Sequence, residues 1–304
     1  MPETNSALGL SSDILSKVRH IEILTGRLVA ETFAGEYLSV FKGRGMEFAE
    51  VREYSPGDDI RLIDRNVTAR MRKPYVRQYT EERELTVVIA CDLSKSQFFG
   101  SAALKKEIAA ELAAVLAFSA LQNNDKVGMF LFTEGVEEFV PPKKGRKHIL
   151  HLIRDVLAYE PKKSGTRLDI ILETLGRVLR RHCIVFLISD FRTDDFASFE
   201  HALKLGSLKH DLIPIILTDP REKSLPSFDA LINLEDPESG QTILFDASSK
   251  SALSEHQKEE EKRLARIQRL FQLSGIDSIQ IGTDASYIDP VVQFFRRRAK
   301  KLSR

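Results

Sequence analysis

The sequence predicts an α/β protein: a doubly wound, mostly parallel sheet preceded by a small N-terminal subdomain that contains β-strands. Two observations carry this expectation. From residue 85 onward, strand-length apolar runs alternate with helix-length amphipathic segments, the rhythm of successive β-α-β units. The runs themselves, such as Val87-Val88-Ile89-Ala90-Cys91, are apolar at every position, which marks strands buried on both faces. Residues 1–84 lack that rhythm and form the expected N-terminal region, leaving 85–304 as the main domain.

Residues 13–30 read as a first helix, capped by Ser12 or Asp13, with Ile14, Val18, Ile21 and Leu28 near helical spacing. Tyr37 to Phe41 is a short strand candidate that ends in the turn Lys42-Gly43-Arg44-Gly45. Those glycines lack the G-x-x-x-x-G-K-[ST] spacing of a phosphate loop. Between 46 and 84 the chain is polar yet patterned. Arg52 to Asp59 contains a Pro-Gly turn, and Pro74 to Tyr79 reads as a strand. The density of Arg52, Asp58, Asp59, Arg61, Asp64 and Arg70 fits a partly buried polar network whose first role is structural.

Strands follow at 85–91, 127–132, 184–189, 212–217 and 276–281, with helices at about 101–122, 145–158, 167–181 and 195–206. Thr133-Glu134-Gly135 is a tight turn, so 136–140 is expected to return as an antiparallel edge strand. A second hairpin lies within 228–247, its strands flanking Asp236-Pro237-Glu238-Ser239-Gly240, and is expected to pair with the N-terminal strands. A charged helix at about 250–274 turns Leu264, Ile267 and Leu270 inward and stops at Gly275. The last helix begins near Tyr287. Its basic end, Arg296 to Lys301, reads as a solvated terminus complementing the helix dipole.

At 42% hydrophobic and 29% charged, the composition is that of an ordinary globular protein. With 45 basic against 44 acidic side chains, no global charge draws the chain to nucleic acid or to an anionic membrane. No apolar run approaches the length of a transmembrane segment. The first residues have neither the basic start nor the apolar core of a secretory signal. Cys91 and Cys183 sit beside apolar strands and read as buried free thiols of a reducing compartment. The expected location is cytoplasmic.

Function is read from the end of a buried apolar strand, where Asp92, Ser94 and Ser96 stand at alternating positions. Open α/β sheets bind ligands beyond the carboxyl ends of such strands. One carboxylate and two hydroxyls there present oxygen ligands to a hard cation such as Mg²⁺. Alone, a D-x-S-x-S pattern arises by chance in about 5–10% of chains this long, given average usage of each residue type. Thr166, before the helix at 167–181, and Asp190, at the end of the strand at 184–189, stand at topologically matching places. Each has an ordinary alternative: Ser94, Ser96 and Thr166 as helix caps, Asp190 as a turn residue. Together they form a five-residue metal site. Its neutral hydroxyls leave an exchangeable position for a partner's acidic side chain, which is binding chemistry. Mg²⁺-dependent phosphate-ester hydrolysis is the runner-up, since no histidine lies in the proposed loops to act as a base. An interaction module with a metal-free, degenerate site is the third reading.

With these residues in place, the chain resembles the von Willebrand factor A-like proteins and their metal-ion-dependent adhesion site, which Asp92, Ser94, Ser96, Thr166 and Asp190 match in order and type. A closer resemblance is to the bacterial family known as domain of unknown function 58. It is carried by Phe48 to Tyr54, Pro56-Gly57-Asp58-Asp59, Arg61, Ile63-Asp64, Ala69-Arg70, Val127-Gly128, Pro142, Gly145-Arg146, Asp236-Pro237-Glu238 and Phe294 to Arg297. The resemblance implies a non-enzymatic adaptor that works with a MoxR-type AAA+ ATPase in chaperone-like assembly or activation of other proteins. Two positions depart from the pattern: Arg65 stands where a tryptophan is usual, and Gln97 where an apolar residue is. Neither is expected to touch the proposed ligands.

Overall fold

The apolar runs of the sequence become the middle of a six-stranded sheet. The structure is a computed structural model that describes residues 12–29, 37, 40, 46–81 and 85–302. The chain opens with α1 (Ser12–Leu28), β1 (Met46–Glu53), α2 (Arg65–Met71) and β2 (Tyr75–Glu81). The main body then runs β3 (Thr86–Asp92), α3 (Lys105–Gln122), β4 (Lys126–Phe132), β5 (Val136–Lys143), α4 (Arg146–Ala158), α5 (Leu168–Val178) and β6 (Ile184–Ser189). It continues with α6 (Phe196–Lys209), β7 (Asp211–Thr218), α7 (Pro220–Lys223), β8 (Leu231–Glu235) and β9 (Thr242–Asp246). The closing elements are α8 (Lys250–Leu273), β10 (Ile279–Gly282) and α9 (Ile288–Leu302).

The large sheet is ordered β10-β7-β6-β3-β4-β5, parallel throughout except for the antiparallel edge strand β5. Side chains of β3 alternate between two cores, as the pleat requires. Val87, Ile89 and Cys91 face a layer of α1, α3, α4 and α9, whereas Val88 and Ala90 face α5, α6 and α8. Every one of these five is fully buried, and a fully buried Val or Ile contributes about 1.5–3 kcal/mol. The Ala-rich α3 is buried almost all round because α1 and α4 pack over its outer side. Lys17 reaches Glu107 at 2.7 Å across that contact, and Arg146 reaches Glu22 at 2.8 Å.

The polar N-terminal segment holds separate carboxylate contacts and not the single partly buried network expected: Arg52, Asp59, Arg61 and Arg70 are exposed, and of the six residues only Asp64 is buried. Asp58 takes a two-pronged contact from Arg52 (2.8 and 2.6 Å) and closes its own turn through the Ser55 amide. Asp64 caps α2 by accepting from the Asn66 and Val67 amides and takes a third bond from Arg77 Nε at 2.8 Å. Arg65, in place of the usual tryptophan, is exposed at the first turn of α2. At the other end of the chain, Arg298 pairs with Asp211 and lies over the Phe294 ring, and Lys301 pairs with Asp277. These contacts give part of the basic terminus a structural role.

Two expectations differ from the structure. Tyr37 and Val40, the described residues of the candidate strand, are helical. Both are buried in the core under α1 and α3, and the Tyr37 hydroxyl donates to Asp125 at 3.0 Å; four or five apolar-rich residues cannot by themselves distinguish a strand from a buried helical turn. The hairpin β8–β9, expected to pair with the N-terminal strands, forms a two-stranded sheet of its own, as do β1 and β2. Its tip is instead drawn to the loop before α5, where Ser164 Oγ donates to the Glu238 carbonyl at 3.0 Å. Among the described residues, no helix is long and apolar enough to cross a membrane.

Candidate metal centre

The chain leaves β3 for α3 and β4 on one side of the sheet, and returns through α5 to β6 on the other. The carboxyl ends of β3 and β6 therefore flank a topological switch point, where open α/β sheets leave a crevice. Asp92 ends β3, Ser94 and Ser96 lie in the short 3₁₀ turn that follows, and Asp190 comes directly after β6. Asp92, Ser94 and Asp190 are 0% exposed and Ser96 is 1% exposed, a depth at which every polar atom needs a partner. Thr166 is nearly as buried at the entrance to α5.

Hydrogen bonds and close polar approaches bring all five together. The Ser94 amide donates to Asp92 Oδ1 at 2.9 Å, and the Ser189 hydroxyl donates to Oδ2 at 2.6 Å. Ser94 Oγ and Ser96 Oγ are 3.0 Å apart, and the Ser96 hydroxyl lies near enough to the Asp190 carboxylate to help lower its pKa. Thr166 is tied in through Glu238, the tip of the β8–β9 hairpin. Its carboxylate accepts from Thr166 Oγ1 at 2.8 Å and from the Thr166 amide at 3.1 Å, and the Ser94 hydroxyl lies near enough to help lower the carboxyl's pKa. The backbone at Phe191, next to Asp190, is held at φ +54°, a left-handed conformation that is costly for a bulky residue. Ser189 Oγ accepts from the Phe191 amide at 3.0 Å, and the rings of Phe199 and Phe271 clamp its side chain. The strain fixes the direction in which the chain leaves Asp190.

The electrostatics divide the carboxylates into two groups. Lys105, fully buried at the start of α3, contacts Asp190 at 2.9 Å and Glu222 at 2.6 Å. Arg192 contacts Glu260 at 3.1 Å and lies 3.8 Å from both Asp190 and Glu222, and Arg263 contacts Glu260 at 3.0 Å. Three carboxylates are thereby matched by three cationic side chains. Burial would push Asp190 up, but Lys105 and Arg192 outweigh it and hold the carboxyl below its ordinary range. Asp92 and Glu238 have no cationic side chain beside them among the described residues. Burial, reinforced by the charge of Asp190, pushes Asp92 up to about 7. Burial and Asp190 likewise raise Glu238 against the pull of its Thr166 and Ser94 hydrogen bonds.

The donors fit a hard divalent cation. All are oxygens, and Asp92 and Glu238 have no cationic side chain beside them among the described residues, so a bound cation would be the partner that favours their ionised forms. The 3.0 Å between Ser94 Oγ and Ser96 Oγ is a hydrogen-bond distance. It also matches the edge of an octahedron with Mg²⁺–oxygen bonds of about 2.1 Å, which is about 3 Å. Among the described residues, no three His, Cys, Asp or Glu side chains group as a ready-made cage, so an ion here would rely on hydroxyls and water.

Three participants escaped the sequence reading. Ser189 ends β6 one residue before Asp190, in a strand read only as apolar. Lys105 carried no pattern at all. Glu238, within Asp236-Pro237-Glu238, belongs to a turn and to the family resemblance, and neither reading gives it a place beside the ligands. Gln97, expected to stay clear of the ligands, is fully buried with Nε2 3.4 Å from Ser96 Oγ and its Oε1 without a partner. The short turn after Ser94 folds it back against the site.

Known proteins match this chain along most of its length. It is 28% identical over 291 residues to the uncharacterized proteins Rv1480 of Mycobacterium tuberculosis and Mb1516 of Mycobacterium bovis, covering 94% of this chain and 90% of each relative. Two solved structures are similar at 17% identity and a TM-score of 0.47, over 71% of this chain and 99% of theirs. They are the conserved hypothetical protein BatB from Bacteroides thetaiotaomicron and an aerotolerance-related membrane protein from Bacteroides fragilis. The family described as Protein of unknown function DUF58 matches residues 50–266, a span that holds every proposed ligand and Glu238, and the chain belongs to that family.

Proposed function

We propose that the protein is a non-enzymatic adaptor with a von Willebrand factor A-like fold, which captures an acidic side chain of a partner protein through a Mg²⁺ ion. The observation that carries this reading is the convergence of oxygens: Asp92 and Glu238, with no cationic side chain beside them among the described residues, stand against the hydroxyl cluster of Ser94, Ser96 and Thr166. Ser94 and Ser96 hold the ion directly, Asp92 and Asp190 supply charge partly through water, and Thr166 joins directly or through water. Mg²⁺ retains several waters in such sites, and neutral hydroxyl ligands leave much of its charge available to an incoming carboxylate. The Asp190–Lys105 contact orients one carboxylate, and the Ser189 hydroxyl orients the other. The family resemblance supports a MoxR-type AAA+ ATPase as partner, in chaperone-like assembly or activation of other proteins in the cytoplasm.

Calorimetric titration with Mg²⁺ tests the reading. Wild type is expected to give a saturable heat that the combined Ser94→Ala and Ser96→Ala changes abolish. No heat from either protein sinks it in favour of a metal-free interaction module. Mg²⁺-dependent turnover of a phosphate ester, lost in the same variant, replaces it with a hydrolase. A pull-down that retains an AAA+ ATPase equally with and without chelator removes the metal from the partner contact.

A further inference from the structure

The hairpin that carries Glu238 is an arm. Strands β8 and β9 pair only with each other, and Leu231, Ile243 and Leu244 are exposed. At its base the Phe228 amide bonds to the Ala247 carbonyl at 3.2 Å, and the Ala247 amide to Ala230 at 3.1 Å. Midway, the Phe245 ring meets His256 of α8 edge-on at 6.1 Å. The tip is held by polar contacts: the Glu238 carboxylate on Thr166, with the Ser94 hydroxyl close by, and its carbonyl on Ser164.

That turn is built to present one side chain. Asp236 Oδ1 accepts from the Glu238 amide at 3.1 Å, the Asp236 carbonyl accepts from the Gly240 amide at 2.8 Å, and Gly240 takes the positive φ of +71° that closes the loop. The carboxylate so presented is bonded to Thr166 and lies beside Ser94, two of the five proposed ligands, which come from different loops. It finds no cationic side chain there among the described residues. A half-buried carboxylate joined only to hydroxyls and an amide is costly until a positive charge arrives. Lys105 and Arg192, the buried cations of the site, are engaged with Asp190, Glu222 and Glu260.

We propose that Glu238 is the chain's own acidic ligand for the cation: it occupies, in the free protein, the place that a partner's carboxylate takes in the complex. The inference rests on the cation reading above and deepens it. The arm closes the loaded site, and a partner's acidic side chain enters by displacing Glu238, which releases the tip. An acidic partner therefore competes with an internal ligand at high local concentration: a simple carboxylate displaces it only in large excess, and a protein partner at ordinary concentration needs further contacts to do so.

Calorimetry and hydrogen exchange on wild type and Glu238→Gln decide the matter, since glutamine keeps the shape of the side chain and an acceptor for Thr166. Mg²⁺ is expected to bind Glu238→Gln about tenfold or more weakly. It is also expected to slow exchange of the tip amides 236–241 in wild type but not in the variant. Excess acetate, the simplest carboxylate, is expected to restore fast tip exchange in Mg²⁺-loaded wild type. Wild-type Mg²⁺ affinity and unchanged tip protection in Glu238→Gln overturn the inference while leaving the cation site intact. Absence of Mg²⁺ binding in wild type removes the cation reading, and this inference with it.

Discussion

Lys105→Met tests the charge arrangement at its deepest point. The ammonium is fully buried, 2.9 Å from Asp190 and 2.6 Å from Glu222. At an effective dielectric near 20, each contact amounts to about 6 kcal/mol of gross attraction, most of it offset by the cost of taking both charges out of water. Methionine fills similar volume without charge, so the variant isolates the loss of the cation. Removing one partner of a buried pair costs about 3–5 kcal/mol. Arg192, 3.8 Å from both carboxylates, keeps the loss near the lower end. At about 2–4 °C per kcal/mol for a large domain, the melting temperature falls by about 6–12 °C without metal. The same change frees Asp190 for a cation, so Mg²⁺ at a hundred times its dissociation constant restores about 2.7 kcal/mol. Differential scanning calorimetry with and without Mg²⁺ reads both effects. A variant that melts within about 2 °C of wild type refutes the buried pair, and an equal Mg²⁺ shift in both proteins refutes the competition between Lys105 and the ion for Asp190.

Three further outcomes follow from other parts of the molecule. Burial, with Lys209 and His182 nearby, lowers His210 from 6.5 to about 4, so the unfolded chain binds the extra proton first as pH falls. Stability contributed by the neutral ring is complete above about pH 6.5 and drops by up to about 3 kcal/mol toward pH 4; urea midpoints for His210→Asn should show a shallower fall than wild type across that window. Gly128→Ala sets a Cβ 2.8 Å from Pro142 Cγ, where β4 meets β5 at a register shift. It should cost about 1–3 kcal/mol in chemical denaturation. Phe271→Ala empties the ring cluster behind Phe191, with an expected loss of about 3–5 kcal/mol and faster hydrogen exchange around Asp190.

What could be read from the sequence was whatever depends on local periodicity and strand position. Asp92, Ser94 and Ser96 stood out because an uninterrupted apolar run buries β3 and a polar triplet ends it. Thr166 and Asp190 followed because parallel strands of one sheet bring their carboxyl ends together. Lys105 and Glu238 obey no such rule, since their partners lie 85 and 72 residues away. Their pairing depends on how α3 and the hairpin dock. The hairpin itself was recognisable, but its partner was misread because strand pattern says nothing about which edge a free pair will seek. One signal was nevertheless present. In Asp236-Pro237-Glu238-Ser239-Gly240, Asp236 and Gly240 bond the turn closed, Ser239 donates to Asp236, and proline suits the bend by its fixed φ. Glu238 alone has no local task for its side chain. A charged residue left without one at the centre of an ordered turn points to a distant partner, and here that partner is the hydroxyl cluster at the end of β3.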